Sequence, residues 1–326
     1  MSAQDPPYPW HHAPWARIAA RLDQGRMPHA VLLTGPQGVG KRALADHLAR
    51  RLLCREPLNG GPCGACRGCQ LMASGGHPDH RLVTPEEGKK TIGVDAVREL
   101  GRVLRLTSQY GGERVGVIAL AEQLTTNAAN SLLKTLEEPP AATTLILVSE
   151  RPGRLLATVR SRCQQWPVPA PSRAEATEWL TSRGAPEAAA LLGVTGNAPL
   201  AAEALHEAGG SGLLETLTGQ LAALATGRLD PVAAAAHWKR DQVPLVVELL
   251  LAIALDLVRV QVGGAQPAIE ALQRMPRPVD SEGVHGFVDA LLEQQRLRDH
   301  PLNPELVLEG LFVQWRDICP REVDHG

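Results

Sequence analysis

Ala30-Val31-Leu32-Leu33-Thr34-Gly35-Pro36-Gln37-Gly38-Val39-Gly40-Lys41-Arg42 is the stretch on which the fold turns. A short apolar run, read as a strand, flows into Gly35, Gly38 and Gly40. Lys41 then opens a segment with Leu44, Leu48 and Leu52 at helical spacing. Strand, glycine loop and helix in that order are the setting of a phosphate-binding loop, in which backbone amides cradle phosphates and a lysine reaches them. The last position departs from the pattern: Arg42 stands where a Ser or Thr hydroxyl normally meets Mg²⁺.

Two further runs, Val115 to Ala119 and Thr144 to Val148, have β character, and helical patterns occupy Val94 to Leu106 and Asn127 to Leu136. Strands alternating with helices predict a parallel α/β sheet. A working ATPase of this type also needs an acidic pair at the end of the second core strand, one carboxylate for Mg²⁺ and one for the attacking water. Here that strand ends Val117-Ile118-Ala119-Leu120, and both positions are apolar. With Arg42 these are three departures, and they predict no self-catalysed ATP hydrolysis. Gly35, Gly38, Gly40 and Lys41 still have the means to hold ATP or ADP phosphates through amides and the helix dipole. The alternative is a loop retained for the fold and left empty.

The full chain of 326 residues is long enough for two or three domains. Hydrophobic residues at 44% and charged residues at 21% fit a packed protein rather than a disordered one. A net charge of −2 gives no global field that would draw the chain onto nucleic acid. Met1 to Pro14 is polar and Pro-rich and lacks a secretory pattern. The most apolar stretch, Pro244 to Val262, contains Glu248, Asp256 and Arg259, so it reads as a buried amphipathic helix and not a membrane span. A cytoplasmic location is expected, where six cysteines serve as thiols or metal ligands rather than disulfides.

Cys63-Gly64-Ala65-Cys66-Arg67-Gly68-Cys69 carries two overlapping C-x-x-C steps, with Cys54 nine residues upstream. Four thiolates at such spacing can close a tetrahedral Zn²⁺ site, and the glycines permit the knuckle turns. Such a site is structural, because no position is left for substrate. Four reduced, unliganded cysteines are the plain alternative, and three cysteines in series fit a metal better than a redox pair.

After Trp166-Pro167-Val168-Pro169-Ala170-Pro171 the character changes, since that proline cluster cannot lie in a central strand or helix. The rest shows no convincing strand. It reads as short helices from Ser172 to His206 and longer ones from Leu213, with breaks at Gly263-Gly264 and around Met275-Pro276-Arg277-Pro278. Just before the prolines lies Ser161-Arg162-Cys163. An arginine at such an edge is either a solvated surface charge or a finger that reaches into a neighbour's ATP site. A planar, permanently charged guanidinium suits the second role. Cys163 then packs, and is not a fifth metal ligand.

Together these pieces resemble the δ′ subunits of bacterial DNA polymerase III clamp loaders, in the AAA+ family. Asn130-Ser131-Leu132-Leu133-Lys134-Thr135-Leu136-Glu137-Glu138-Pro139-Pro140 is similar to the most recognisable clamp-loader segment, and Ser161-Arg162-Cys163 matches the family's SRC motif. The cysteine knuckle followed by Gly76-His77-Pro78-Asp79 and by Gly93-Val94-Asp95-Ala96-Val97-Arg98-Glu99 fits, as do Tyr8-Pro9-Trp10 and Asn303-Pro304-Glu305-Leu306-Val307-Leu308-Glu309 near the two ends.

The resemblance implies an α/β P-loop AAA+ domain over 1–169 with a Cys₄ zinc module at about 54–69, an all-α lid over 170–212 and an all-α collar over 213–326. It implies a non-hydrolysing subunit that supplies Arg162 in trans to a γ/τ ATP site and helps load the β sliding clamp onto primer-template DNA. Its partners would be γ/τ and δ, with the clamp and DNA met through the complex and no membrane involved. The γ/τ relatives carry a lid arginine where Gly196-Asn197-Ala198-Pro199-Leu200 here places Pro199, while the polar end of the sensor strand is kept in type as Ser149.

Collar residues Val288, Leu291, Leu292, Leu306, Leu308, Leu311 and Trp315 are apolar at helical spacing, expected to be mostly core with some facing other subunits. Lys89-Lys90-Thr91 and the start of the Val94 helix are candidate phosphate contacts, against the plainer reading of a solvated turn. Two rivals remain: an ATP-hydrolysing γ/τ-type subunit, which needs substitutes for Arg42, Ala119 and Leu120, and a zinc-dependent nucleic-acid-binding module, which would want a basic aromatic patch beside the cysteines. No polymerase or exonuclease constellation is present.

Overall fold

The computed structural model describes residues 4–110, 112–263, 266–274, 280–296 and 303–319. The chain divides into two compact units, Met1–Pro171 and Ser172–Gly326.

In the first unit five strands, β1 (Ala30–Thr34), β2 (His80–Val83), β3 (Arg114–Ile118), β4 (Thr143–Ser149) and β5 (Gln164–Pro167), form one sheet in the order β2-β3-β4-β1-β5. Every pairing is parallel. β4 lies at the centre, and all seven of its residues are buried, which is why it reads as an unbroken apolar run capped by threonines. The helices α1 (His12–Asp23), α2 (Lys41–Leu53), α3 (Arg67–Ala73), α4 (Val94–Arg105), α5 (Thr126–Glu137) and α6 (Ala157–Arg160) complete this unit. α4 turns Val97, Leu100 and Leu104 inward at helical spacing, and α5 turns Ala128, Leu132 and Leu136. Removing a fully buried leucine such as Leu132 would cost about 2–5 kcal/mol. Thr125 starts α5 by accepting the Ala128 amide on its hydroxyl.

Two strands go beyond the three runs read from the sequence. β2 is four residues long and buries only Val83 fully. β5 is a polar edge strand ending in Pro167, a residue without an amide to donate, which an edge tolerates.

Register decides where chemistry can occur. Thr34 lies opposite Ser149 and Pro167, and Ile118 opposite Leu147. The carboxyl ends of β1, β3 and β4 therefore share one edge of the sheet, where open parallel sheets bind ligands.

The second unit contains α7 (Arg173–Ser182), α8 (Pro199–Glu207), α9 (Gly210–Ala225), α10 (Pro231–Ala236), α11 (Val243–Gly263), α12 (Ser281–Arg296) and α13 (Pro304–Ile318), with no strand among the described residues. One apolar core runs through it from Ala176 to Cys319. α9 passes unbroken through position 212/213. The breaks expected at Gly264 and from Met275 to Pro278 lie outside the described residues; α11 ends at Gly263. Of the collar positions, Leu291, Leu308, Leu311 and Trp315 are buried, whereas Leu292 and Leu306 are exposed.

α11 carries the most apolar stretch, and its Asp256 is buried. Arg259 donates to Asp256 Oδ1 through Nη2 at 2.7 Å, and the Ile269 amide donates to Oδ2 at 2.8 Å. No helix among the described residues is long and apolar enough to cross a membrane.

Candidate functional site: a phosphate loop, a cysteine knuckle and an edge arginine

The glycine loop joins β1 to the first turn of α2 as the sequence predicts. Gly40 caps α2 at φ +80°, and a Cβ there would lie 2.4 Å from the Tyr8 ring, so both backbone and space demand glycine. Gly35 has φ +152°, and a Cβ on it would meet the Val168 carbonyl at 2.2 Å.

The N-terminal segment pins this loop. Trp10 Nε1 and His11 Nε2 both donate to the Val39 carbonyl, at 2.9 and 2.8 Å. Because the acceptor is a carbonyl, His11 carries its proton on Nε2 there. Burial drives the His11 pKa down to about 4, so the ring is neutral at neutral pH.

Lys41 is buried, and its ammonium donates to the Pro36 carbonyl of its own loop at 2.6 Å. Arg42 turns away and pairs with Asp46 at 3.0 Å, one helical turn on. At the end of β3, Ala119 is buried and Leu120 sits in the left-handed region at φ +57°, strained for a branched side chain. Ser149 closes β4 fully buried, its hydroxyl without a partner among the described residues. Pro199 is the first residue of α8.

Two carboxylates that the sequence reading did not single out belong to this edge. Glu122 Oε1 accepts the Glu150 amide at 3.1 Å. Both carboxylates favour the charged form of Lys41, against the larger effect of burial, which lowers its pKa. Burial raises the Glu150 pKa, Lys41 opposes that, and Glu122 adds to it. Glu122 lies on the turn beyond β3 and Glu150 one residue beyond β4. Only the pairing of the two strands brings them to one lysine.

The four cysteines come together. The sulfurs of Cys54, Cys63, Cys66 and Cys69 all lie within 4.8 Å of one another, with Cys54–Cys66 and Cys63–Cys69 each at 3.9 Å. A tetrahedron with ~2.3 Å zinc–sulfur bonds has edges of about 3.8 Å. Cys54 caps the end of α2, Cys66 caps the start of α3, and Gly64 makes the knuckle turn at φ +78°. The Cys63 amide donates to Cys54 Sγ and the Cys66 amide to Cys63 Sγ, both at 3.3 Å. Burial pushes the Cys54 and Cys69 thiols up. It acts on Cys66 too, but the backbone at Cys69 and Arg55 and the neighbouring thiols outweigh it and bring that thiol down to about 6. Donor type, number and spacing all fit a tetrahedral thiophilic cation. His77 is buried nearby, but its Nδ1 accepts the Asp79 amide at 3.1 Å.

Ser161, Arg162 and Cys163 follow α6. Cys163 is buried in the sheet-side core beside Leu155 and Val159, and burial raises its thiol to about 11. Ser161 Oγ and Arg162 Nη1 both donate to the Thr158 carbonyl, at 3.2 and 3.0 Å. Arg162 Nη2 lies 2.8 Å from Glu137 Oε1, at the last residue of α5. The alternation puts the cysteine inside and the guanidinium outside. In the candidate DNA-contacting loop, Lys89 pairs with Glu86 at 2.6 Å.

The chain is similar to known proteins. A profile of the family described as DNA polymerase III, delta subunit, matches residues 10–172. DNA polymerase III subunit delta′ of Pseudomonas aeruginosa is 38% identical, covering 95% of this chain and 98% of its own length. The protein of the same name from Escherichia coli is 39% identical, covering 94% of each. Among solved structures, a DNA polymerase III γ-subunit-related protein from Thermotoga maritima aligns over 94% of this chain and 99% of its own at 16% identity, with a TM-score of 0.47. The chain belongs to the DNA polymerase III δ′ subunit family.

Proposed function

We propose that this chain is a non-hydrolysing subunit of the replicative clamp loader that lends Arg162 in trans to the ATP site of a neighbouring γ/τ subunit. The observation that carries this reading is the contrast between its two arginines. Arg42 occupies the metal-ligand position of the chain's own loop and pairs with Asp46 within its own helix, whereas Arg162 lies on the turn after α6, held by the Thr158 carbonyl and by Glu137 of another helix. A guanidinium placed on the γ-phosphate of a neighbour stabilises charge in the transition state, an effect worth about 10³–10⁵ in rate where it has been measured.

In this reading δ and γ/τ are the partners, the β clamp and primer-template DNA are met through the complex, and the work is cytoplasmic. Residues 170–212 act as the lid and 213–326 as the collar, the boundary lying in the first turn of α9. Of the collar positions read from the sequence, Leu292 and Leu306 are exposed and so suited to face other subunits. Cys54, Cys63, Cys66 and Cys69 would hold one zinc ion, whose four thiolates leave it a purely structural role. Lys89 and Lys90 are the candidates for phosphate contact in this reading.

Glu122 and Glu150 favour a second reading, an ATP-hydrolysing subunit in which this pair stands in for the missing acids. One experiment separates the two. The purified chain is mixed with γ/τ, δ, the clamp and primed DNA, and ATP turnover is followed with the natural chain and with Arg162→Ala. Silence from the chain alone, turnover on assembly and its loss with the variant support the finger. Turnover by the chain alone that survives the variant supports the second reading.

A further inference from the structure

The edge arginine is not free. Its Nη1 donates to the Thr158 carbonyl at 3.0 Å, and its Nη2 meets Glu137 Oε1 at 2.8 Å. The two contacts differ in kind. Thr158 belongs to the same turn and moves with Arg162. Glu137 ends a different helix, α5, and offers a carboxylate carrying one negative charge. The side chains are 38% and 49% exposed, so the ion pair stands in water and is weak.

We infer that Glu137 is a positioning residue that parks the Arg162 guanidinium on this chain until the terminal phosphate of a neighbour's bound nucleotide displaces it. A terminal phosphate carries more negative charge than a carboxylate, so it wins the exchange. Nη1 keeps its place on the Thr158 carbonyl while Nη2 changes partner, so the finger stays aimed through the swap. No bond is made or broken beyond hydrogen bonds. A neighbour without the terminal phosphate presents less charge and leaves the arginine neutralised by Glu137. The pair thus biases the contact toward a triphosphate-loaded neighbour. The inference rests on Arg162 acting as a finger, and the test keeps the two apart.

The affinity of the full chain for its γ/τ partner is measured with a slowly hydrolysed ATP analogue and with ADP, for the natural chain and for Glu137→Gln, Glu138→Gln, Arg162→Ala and Glu137→Gln/Arg162→Ala. Glu138 is the control: it has the same charge, lies next in sequence, and makes no ion pair among the described residues. Parking predicts that Glu137→Gln tightens the analogue complex about two- to fivefold, the scale of an exposed ion pair. It should also tighten the ADP complex, while Glu138→Gln changes neither and the gain vanishes without Arg162. Unchanged or weaker binding by Glu137→Gln, with Arg162→Ala still weakening the analogue complex, overturns parking and leaves the finger standing. If Arg162→Ala changes neither binding nor assembled turnover, the finger falls and parking falls with it.

Discussion

Lys41 Nζ donates to the carbonyl of Pro36 at 2.6 Å, so the lysine of the phosphate loop is closed onto the loop that presents it. Burial lowers the pKa of this ammonium, and Glu150 and then Glu122 act to raise it. Within the loop the lysine has an acceptor, the Val39 carbonyl has two donors, and Arg42 has Asp46.

Such a site should not gain hydrolysis from one repair. Arg42→Thr restores the metal-ligating hydroxyl but leaves Ala119 and Leu120 at the end of β3. The expected result is no phosphate release above background from purified variant with Mg²⁺ and ATP. Measurable turnover would assign Glu122 and Glu150 as a working acidic pair.

The cysteine knuckle should hold about one zinc per chain, as four thiolates to one ion imply. Elemental analysis checks this. Cys66→Ser should lose the metal and unfold the link between α2 and α3, because that residue caps α3 and lies 3.9 Å from Cys54 across the site. Cys163→Ser should keep the metal, since Cys163 lies in a different core. A metal-free preparation as stable as the natural one would remove the structural site.

How much of this was written in the sequence depended on how local the cause was. β1, α2 and the loop between them are contiguous, and their glycines announce their φ values. β4 is buried on both faces, so its composition alone marks it. β2 and β5 are short and largely polar, held by neighbours rather than by their own pattern, and β5 ends in Pro167. The cysteines were legible because ligands of a small site cluster in sequence. The contacts of Glu122 with Glu150 and of Glu137 with Arg162 join segments that only the fold brings together.

Asp256 allows a test of the helical unit. Its i+3 partner Arg259 could be read from the sequence; its bond from the Ile269 amide could not. The carboxylate ties the chain after α11 back onto that helix. Asp256→Ala leaves the buried Ile269 amide without an acceptor and the half-exposed Arg259 guanidinium with only the Gln266 carbonyl, which should cost about 2–3 kcal/mol. Denaturant unfolding should show a lower midpoint, while the metal content stays unchanged. A loss under about 0.5 kcal/mol, the level of an ordinary surface change, would mean that the bridge does not hold that segment.

Acid should weaken the first unit through its buried imidazoles. Burial drives both His11 and His47 from 6.5 to about 4. His47 packs edge-on against Trp15 with its Nε2 lacking a partner among the described residues. A folded pKa below the unfolded one means that the unfolded chain takes up the proton first. The stability these rings contribute is therefore complete above pH 6.5 and is lost as the pH falls toward 4. Each ring can account for up to about 3 kcal/mol over that window. The check is urea unfolding at several pH values for the natural chain and for His47→Gln, which keeps a polar side chain but cannot titrate. The variant's stability should fall less steeply through the same interval. Parallel slopes would mean that His47 takes up its proton as readily folded as unfolded.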